Sequence, residues 1–300
     1  MASTPQENKS MTLPDGRTLC YAIYGSPVSE KTVFHFHAFP SSRLEGRMWH
    51  TVTEKLNIRF IAPDRPGMGN STFQTSRALL DWPKDVLVLA DYLKMQRFYI
   101  MGMSGGGPYI LACLHGIPKE RLAGAAVVGG LYPVALGTAG MMMGSRILLW
   151  VAPWMTGLVG MLMDKTLGTA ARNEDPKVFE ELLMKEMASR PEADQDAIKD
   201  EKNKQNFIEA TREGLRHSAE GAAWEARLFG SAWGFQLGDL SGDVPLTLWH
   251  GGQDVNSPKA MVIKAKETIP GATMRLEEEE GHISLAFRFR EEILRELVGR

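Results

Sequence analysis

Cysteine is scarce. Two residues, Cys20 and Cys113, in a chain of 300 cannot build the disulfide framework of a small secreted scaffold. Both sit in apolar runs that read as buried strand and helix. Charge imbalance is also missing. With 34 Lys and Arg against 36 Asp and Glu, the formal net charge is −2. That balance excludes a strongly basic nucleic-acid binder and gives no general attraction to an anionic membrane. Residues 1–10 are polar and lack the apolar core of a signal peptide. Leu297-Val298-Gly299-Arg300 matches no retention or peroxisomal signal. Cytoplasmic residence is the default expectation. No internal repeat or low-complexity tract is present. His35 and His37 share one side of a strand-like run, but no carboxylate or cysteine at ligand spacing completes a site, so no metal is expected.

What the chain does have is an alternation of strands and helices. Runs at Thr18–Tyr24, Thr32–Phe36, Arg59–Ala62, Phe98–Met101 and Leu122–Val128 read as strands. Glu45–Leu56, Leu79–Met95 and Pro108–Leu114 read as helices between them. After Leu131 the alternation stops. It resumes with a strand at Pro245–His250, a helix at Ser257–Ile269, a strand at Ala272–Leu276 and a closing helix at Ile283–Val298. Such alternation predicts an α/β fold, a mostly parallel sheet with helices on both faces. The block between predicts a helical insertion at the strand ends where ligands bind in open α/β sheets. We divide the chain into 11–131, first part of the core; 132–240, helical insertion; and 241–300, second part of the core.

The insertion has two halves. Ile147–Met163 is almost wholly apolar, with Met141-Met142-Met143 just before it. It is short for a membrane span and interrupted by Pro153, Gly157 and Gly160. We read it as a lid over the site, with Met141, Trp154 and Met161 as candidate substrate contacts. Contact with a membrane is the alternative. Asp175–Gly214 is charged and reads as amphipathic helices.

The most informative stretch is Gly102-Met103-Ser104-Gly105-Gly106, placed between a strand and a helix. A turn this tight needs small flanking residues and presents the serine hydroxyl at the start of a helix. The Gly-x-Ser-x-Gly-Gly run is not a dinucleotide fingerprint, because the acidic ribose partner is missing. A serine nucleophile needs a base, and the base needs a carboxylate. Asp254 follows the Pro245–His250 strand, and His282 lies in the loop after the last strand. The order Ser104, Asp254, His282 puts all three at strand ends. Asp254 also suits a helix cap near Ser257-Pro258, and His282 suits a helix start. Amides to hold an oxyanion are expected from Gly105 and from the loop after Thr32–Phe36, at Phe39.

His37-Ala38-Phe39-Pro40-Ser41-Ser42-Arg43-Leu44-Glu45, Ala62-Pro63-Asp64-Arg65-Pro66-Gly67-Met68-Gly69-Asn70-Ser71, Met103-Ser104-Gly105-Gly106-Gly107-Pro108-Tyr109, Leu248-Trp249-His250-Gly251 and Gly281-His282 complete the pattern. Together they make the chain resemble the α/β-hydrolase superfamily, among its capped single-domain serine hydrolases. The resemblance covers residues 11–131 and 241–300. It implies about eight mostly parallel strands, a helical cap after the sixth, and Ser104, Asp254 and His282 as catalytic residues, with no cofactor. The expected reaction is serine hydrolysis through an acyl-enzyme, and the apolar insertion alone suggests a small to medium apolar ester, thioester or lactone as substrate. Carbon–carbon bond hydrolysis or cofactor-free lyase or cyclase chemistry uses the same fold and triad, and a non-catalytic receptor is the rival of another class. Epoxide hydrolase or dehalogenase chemistry would call for Asp at position 104. One departure stands out: Ala38 occupies a place where the family usually has glycine. The resemblance implies loop-fixing roles for His37 and for Asp64-Arg65, and a structural one for His250. The expected partner is a small molecule, and the oligomeric state is not legible.

Overall fold

The computed structural model describes residues 3–299. Its eight strands are β1 (Gln6–Thr12), β2 (Thr18–Gly25), β3 (Thr32–Phe36), β4 (Arg59–Pro63), β5 (Phe98–Met103), β6 (Leu122–Val128), β7 (Leu246–Gly251) and β8 (Thr273–Glu277). They form one sheet in the order β1-β2-β4-β3-β5-β6-β7-β8. β2 runs antiparallel to both neighbours, and every other pairing is parallel. The central strands β3, β5, β6 and β7 are buried on both faces, apart from Tyr99 and Ala123 near two strand starts. That explains their continuous apolar runs.

Helices α1 (His50–Lys55), α2 (Trp82–Tyr92) and α3 (Gly107–Gly116) connect the first strands. The insertion between β6 and β7 contains α4 (Met143–Met163), α5 (Thr169–Ala171), α6 (Pro176–Met187), α7 (Glu192–Ala197), α8 (Glu201–Gly214) and α9 (Glu220–Gly230). The chain closes with α10 (Lys259–Thr268), α11 (Ser284–Arg288) and α12 (Arg290–Val298). One core cluster packs Phe34, Phe36, Ile100, Ile110, Val127 and Leu248 with α2, α3 and α10 on one face of the sheet. The second packs Val33, Phe60, Met101, Val128 and Trp249 with α12 on the other.

Three differences from the sequence reading have local causes. β1 escaped notice because Gln-Glu-Asn-Lys-Ser-Met-Thr lacks apolar alternation. It is an edge strand tied by polar contacts: Arg43 donates to the Glu7 carbonyl at 2.6 Å and to Asn8 at 2.9 Å, and Arg47 donates to Glu7 at 2.6 Å. The helix expected over 45–56 begins as a 3₁₀ stretch, Arg43–Trp49, capped by the Ser42 side chain. The single helix expected over 283–298 is two, because Phe289 leaves helical geometry at ψ 18°.

Candidate active site

β5 ends in the tight turn. Ser104 sits at φ 52°, a left-handed conformation that costs a non-glycine residue energy and persists where surrounding structure enforces it. The enforcement is steric. A Cβ on Gly102 would stand 2.7 Å from the Gly106 carbonyl oxygen, and one on Gly105 2.6 Å from the Phe39 Cβ. The strand therefore meets the helix at Gly102, and the loop after β3 meets the helix start at Gly105, too closely for side chains.

Ser104, His282 and Asp254 come together although 178 and 28 positions separate the bonded pairs. The Ser104 Oγ lies 2.8 Å from His282 Nε2, and His282 Nδ1 lies 2.7 Å from Asp254 Oδ2. Ser104 is partly accessible, while His282 is 4% and Asp254 5% exposed. Asp254 also makes the turn contacts expected of a capping residue. Its Oδ1 accepts from the Asn256 and Ser257 amides at 2.7 and 2.9 Å, leaving Oδ2 for the imidazole. Burial pushes the Asp254 carboxyl up, but attraction to His282 and its hydrogen bond outweigh this and hold it below its ordinary value. An ionised carboxylate at this place orients the imidazole and stabilises it when protonated. A histidine so held can take a proton from a serine hydroxyl. His250 is a separate matter. Its Nε2 donates to the Ser257 carbonyl at 2.7 Å, and burial lowers its pKa.

The loop after β3 is anchored from below. The Ala38 N–H donates to both Glu45 carboxylate oxygens at 2.9 and 3.1 Å. The Ala38 carbonyl accepts from His37 Nδ1 at 2.8 Å and from Arg65 at 3.0 Å. The Phe39 N–H has no hydrogen-bond partner among the described residues, and the Phe39 Cβ sits against Gly105. The Ala38 methyl packs against the second core cluster. The alanine's amide is spent on Glu45, and the free donor is one residue further on. Burial, then Arg65, pushes the His37 pKa well below its ordinary value, so the ring is neutral. It accepts the Arg65 amide at Nε2 and donates at Nδ1. His35 Nε2 lies 2.8 Å from Glu45.

Two carboxylates from the insertion reach this machinery, and the sequence reading singled out neither. Glu225 of α9, fully buried, binds Arg65 at 2.5 and 2.8 Å and accepts from Tyr109 at 3.0 Å. Burial raises its pKa, yet Arg65 outweighs that and leaves it below the ordinary 4.5. Its spacing with Ala222, Ala226 and Phe229 put it on the buried face of α9, a signal available in the sequence. Asp194 of α7 is 0% exposed and accepts three amides: His282 at 3.1 Å, Ile283 at 2.8 Å and Ser284 at 2.9 Å. It has no basic partner among the described residues. Oriented N–H groups take the place of a counter-ion. Nothing in Glu-Ala-Asp-Gln-Asp distinguishes the buried aspartate from its exposed neighbours.

Above Ser104 lies a pocket of about 850 Å³, mouth included. Its insertion-side wall is Leu167, Leu183, Arg190, Phe207, Ala210 and Thr211, and Ala38, Phe39 and Met103 line the sheet side. This corrects the lid reading. Met141, Trp154 and Met161 do not line the pocket. Met141 is buried in the first core cluster, Trp154 is 83% exposed, and Met161 is about half exposed. The amphipathic helices of the charged half turn narrow apolar stripes to the pocket, with Glu186 and Asn206 beside them at its wall.

The sequence profile of the Alpha/beta hydrolase family matches residues 33–296. No curated protein matches the chain in sequence. Among solved structures, an esterase from Rhodococcus sp. aligns with TM-score 0.65 and 20% identity, covering 98% of this chain and 96% of its own. An esterase from Exiguobacterium antarcticum aligns with TM-score 0.68 and 16% identity, covering 98% of this chain and 100% of its own. An enol-lactonase from Burkholderia xenovorans aligns with TM-score 0.65 and 18% identity over 95% of this chain and 98% of its own.

Proposed function

The chain belongs to the alpha/beta hydrolase family and is a hydrolase, and from that premise we propose that it cleaves small to medium carboxylic esters by nucleophilic catalysis at Ser104. The observation that carries the reading is the continuous hydrogen-bonded line Ser104–His282–Asp254, at 2.8 and 2.7 Å. The Ser104 Oγ adds to the ester carbonyl carbon while His282 Nε2 takes the hydroxyl proton. Asp254 keeps Nδ1 protonated and stabilises the imidazolium. The carbonyl oxygen becomes an oxyanion and is held by the Phe39 and Gly105 amides. Those donors are fixed before the reaction begins, the Phe39 one because Glu45 and Arg65 freeze the loop beneath it. The tetrahedral adduct collapses, the C–O bond breaks, and His282 returns the proton to the leaving alkoxide. Water then adds to the acyl carbon as His282 takes its proton; the second adduct collapses, the bond to Ser104 Oγ breaks, and His282 returns the proton to Oγ, releasing the acid. The mostly apolar pocket wall of Leu167, Leu183, Phe207 and Ala210 suits an apolar acyl or alcohol group.

A nitrophenyl ester series from acetate upward tests the reading. Turnover with a burst of nitrophenol from an acyl-enzyme is expected. Absence of turnover on every member would favour the lyase or receptor alternatives.

A further inference from the structure

The outer face of α4 carries large apolar side chains. Met143, Ile147, Trp150, Trp154, Leu158, Met161 and Leu162 are 38 to 83% exposed. The inner face is mostly smaller, with Ala152, Val159 and Gly160 beside the buried Leu149. α4 meets α9 through Ala152, Val159, Ala223 and Ala226, and a Cβ on Gly160 would already touch Ala223. A helix that ends its life in water has the reverse arrangement, because exposing apolar area costs roughly 25 cal/mol per Å². The helical run Met143–Ala171 is long and apolar enough to cross a membrane, yet its most apolar stretch is only 17% buried; Pro153 lies inside it and Met155 leaves helical geometry at φ −129° and ψ 39°, so α4 is kinked rather than straight. It is packed on α9 and closed at both ends by the fold, so its apolar face is available only sideways.

Charge selects the occupant. No acidic residue lies between Met143 and Met163, while Arg146 stands in the first turn and Lys165 just past the last. Arg146 and Lys165 form no ion pair among the described residues, and neither does Arg227 of α9, which bonds Thr156 at 3.2 Å. Asp164, the nearest carboxylate in sequence, is spent on Arg172 and the Ala219 amide. Arg146 and Arg227 share a shallow groove with Trp150 and Trp154. The overall charge of −2 conceals this local pattern. A second copy is a poor fit. Antiparallel two-fold pairing along α4 sets Arg146 against the partner's Lys165, and parallel pairing sets each cation against itself. Tryptophans beside arginines at the edge of an apolar stripe match the headgroup region of a bilayer bearing anionic lipid.

We propose that α4 is a membrane-docking surface that lies in the plane of an anionic bilayer, with Trp150 and Trp154 inserted at headgroup depth and Arg146, Lys165 and Arg227 on lipid phosphates. Leu167, four residues beyond the end of α4, lines the pocket above Ser104.

The test is co-sedimentation of the full chain with vesicles of phosphatidylcholine, alone or with about 30% phosphatidylglycerol. Binding to the anionic vesicles is expected, with a fall of at least about tenfold in partitioning for Trp150→Ala combined with Trp154→Ala. Arg146→Gln with Lys165→Gln is expected to weaken binding several-fold at low salt, and the difference should fade at about 1 M salt. Thermal melting of each variant controls for folding. The proposal is overturned by equal sedimentation of the tryptophan double variant and the parent, or by no binding to either vesicle. It is also overturned if light scattering gives a dimer mass that the same double variant abolishes, which would assign the face to a second copy.

Discussion

The two halves of the helical insertion invert what their compositions suggest. The apolar half, α4, faces outward, and its tryptophans stand in the open. The charged half, α6 to α8, folds over Ser104. It lines the pocket with Leu183, Phe207 and Ala210 and sends Asp194 beneath the His282 loop. Mean composition does not decide which helix faces a site. An amphipathic helix has one narrow apolar stripe, and burying it satisfies the whole helix. A helix apolar all round has more surface than one neighbour can cover. α9 covers the small-residue side of α4 and no more.

Substitutions in the core and in each half sharpen this contrast. Ser104→Ala sets the scale: ester turnover should fall at least about a thousandfold with the melting temperature unchanged. Glu225→Gln should cost about 3 kcal/mol, because it leaves Arg65 buried without its carboxylate. That loss should depend on pH in a definite direction. The native Glu225 pKa lies below the ordinary 4.5. The stability it adds is therefore complete above about pH 4.5 and drains away as pH falls through the lower native value. Urea midpoints of parent and variant should converge in acid and separate at neutral pH. An offset that grew on acidification would contradict the assignment.

Asp194→Ala comes next. Freed of the three amide bonds that fix its backbone, His282 should lose alignment, and kcat should drop about thirtyfold with little change in KM. A purely structural aspartate would lower the melting temperature and leave kcat of the folded enzyme unchanged. Smaller still is Phe207→Ala, which should shift acyl-chain-length preference about fivefold while sparing acetate ester turnover. Trp154→Ala should change every soluble ester by less than about twofold. If Trp154→Ala reshaped chain-length preference and Phe207→Ala did not, the assignment of the two halves would be reversed.

The parts of the site on regular elements were legible in the sequence. Ser104 is marked by glycines that strand and helix contact demands. Asp254 and His282 are marked by following strands in a fixed order. The loop after β3 was legible as the place of Phe39, and the Ala38 N–H there donates to Glu45. Burial of Glu225 was in principle readable from helical spacing. Asp194 was not, because its partners are backbone amides 88 to 90 positions away and its neighbours are equally acidic. β1 was hidden because charge pairing rather than apolar alternation holds it. Met141, Trp154 and Met161 misled because hydrophobicity was equated with facing the site. Which side of α4 meets α9 depends on a small-residue seam contributed by both helices.

The claim on which the rest depends is that Ser104 is the nucleophile, activated by His282. Mass-spectrometric mapping of a fluorophosphonate adduct tests it most directly. A single adduct on the peptide containing Ser104, absent in Ser104→Ala and formed at least about a hundredfold more slowly in His282→Ala, is the predicted result. An adduct on another residue, or labelling that persists in Ser104→Ala, would contradict it.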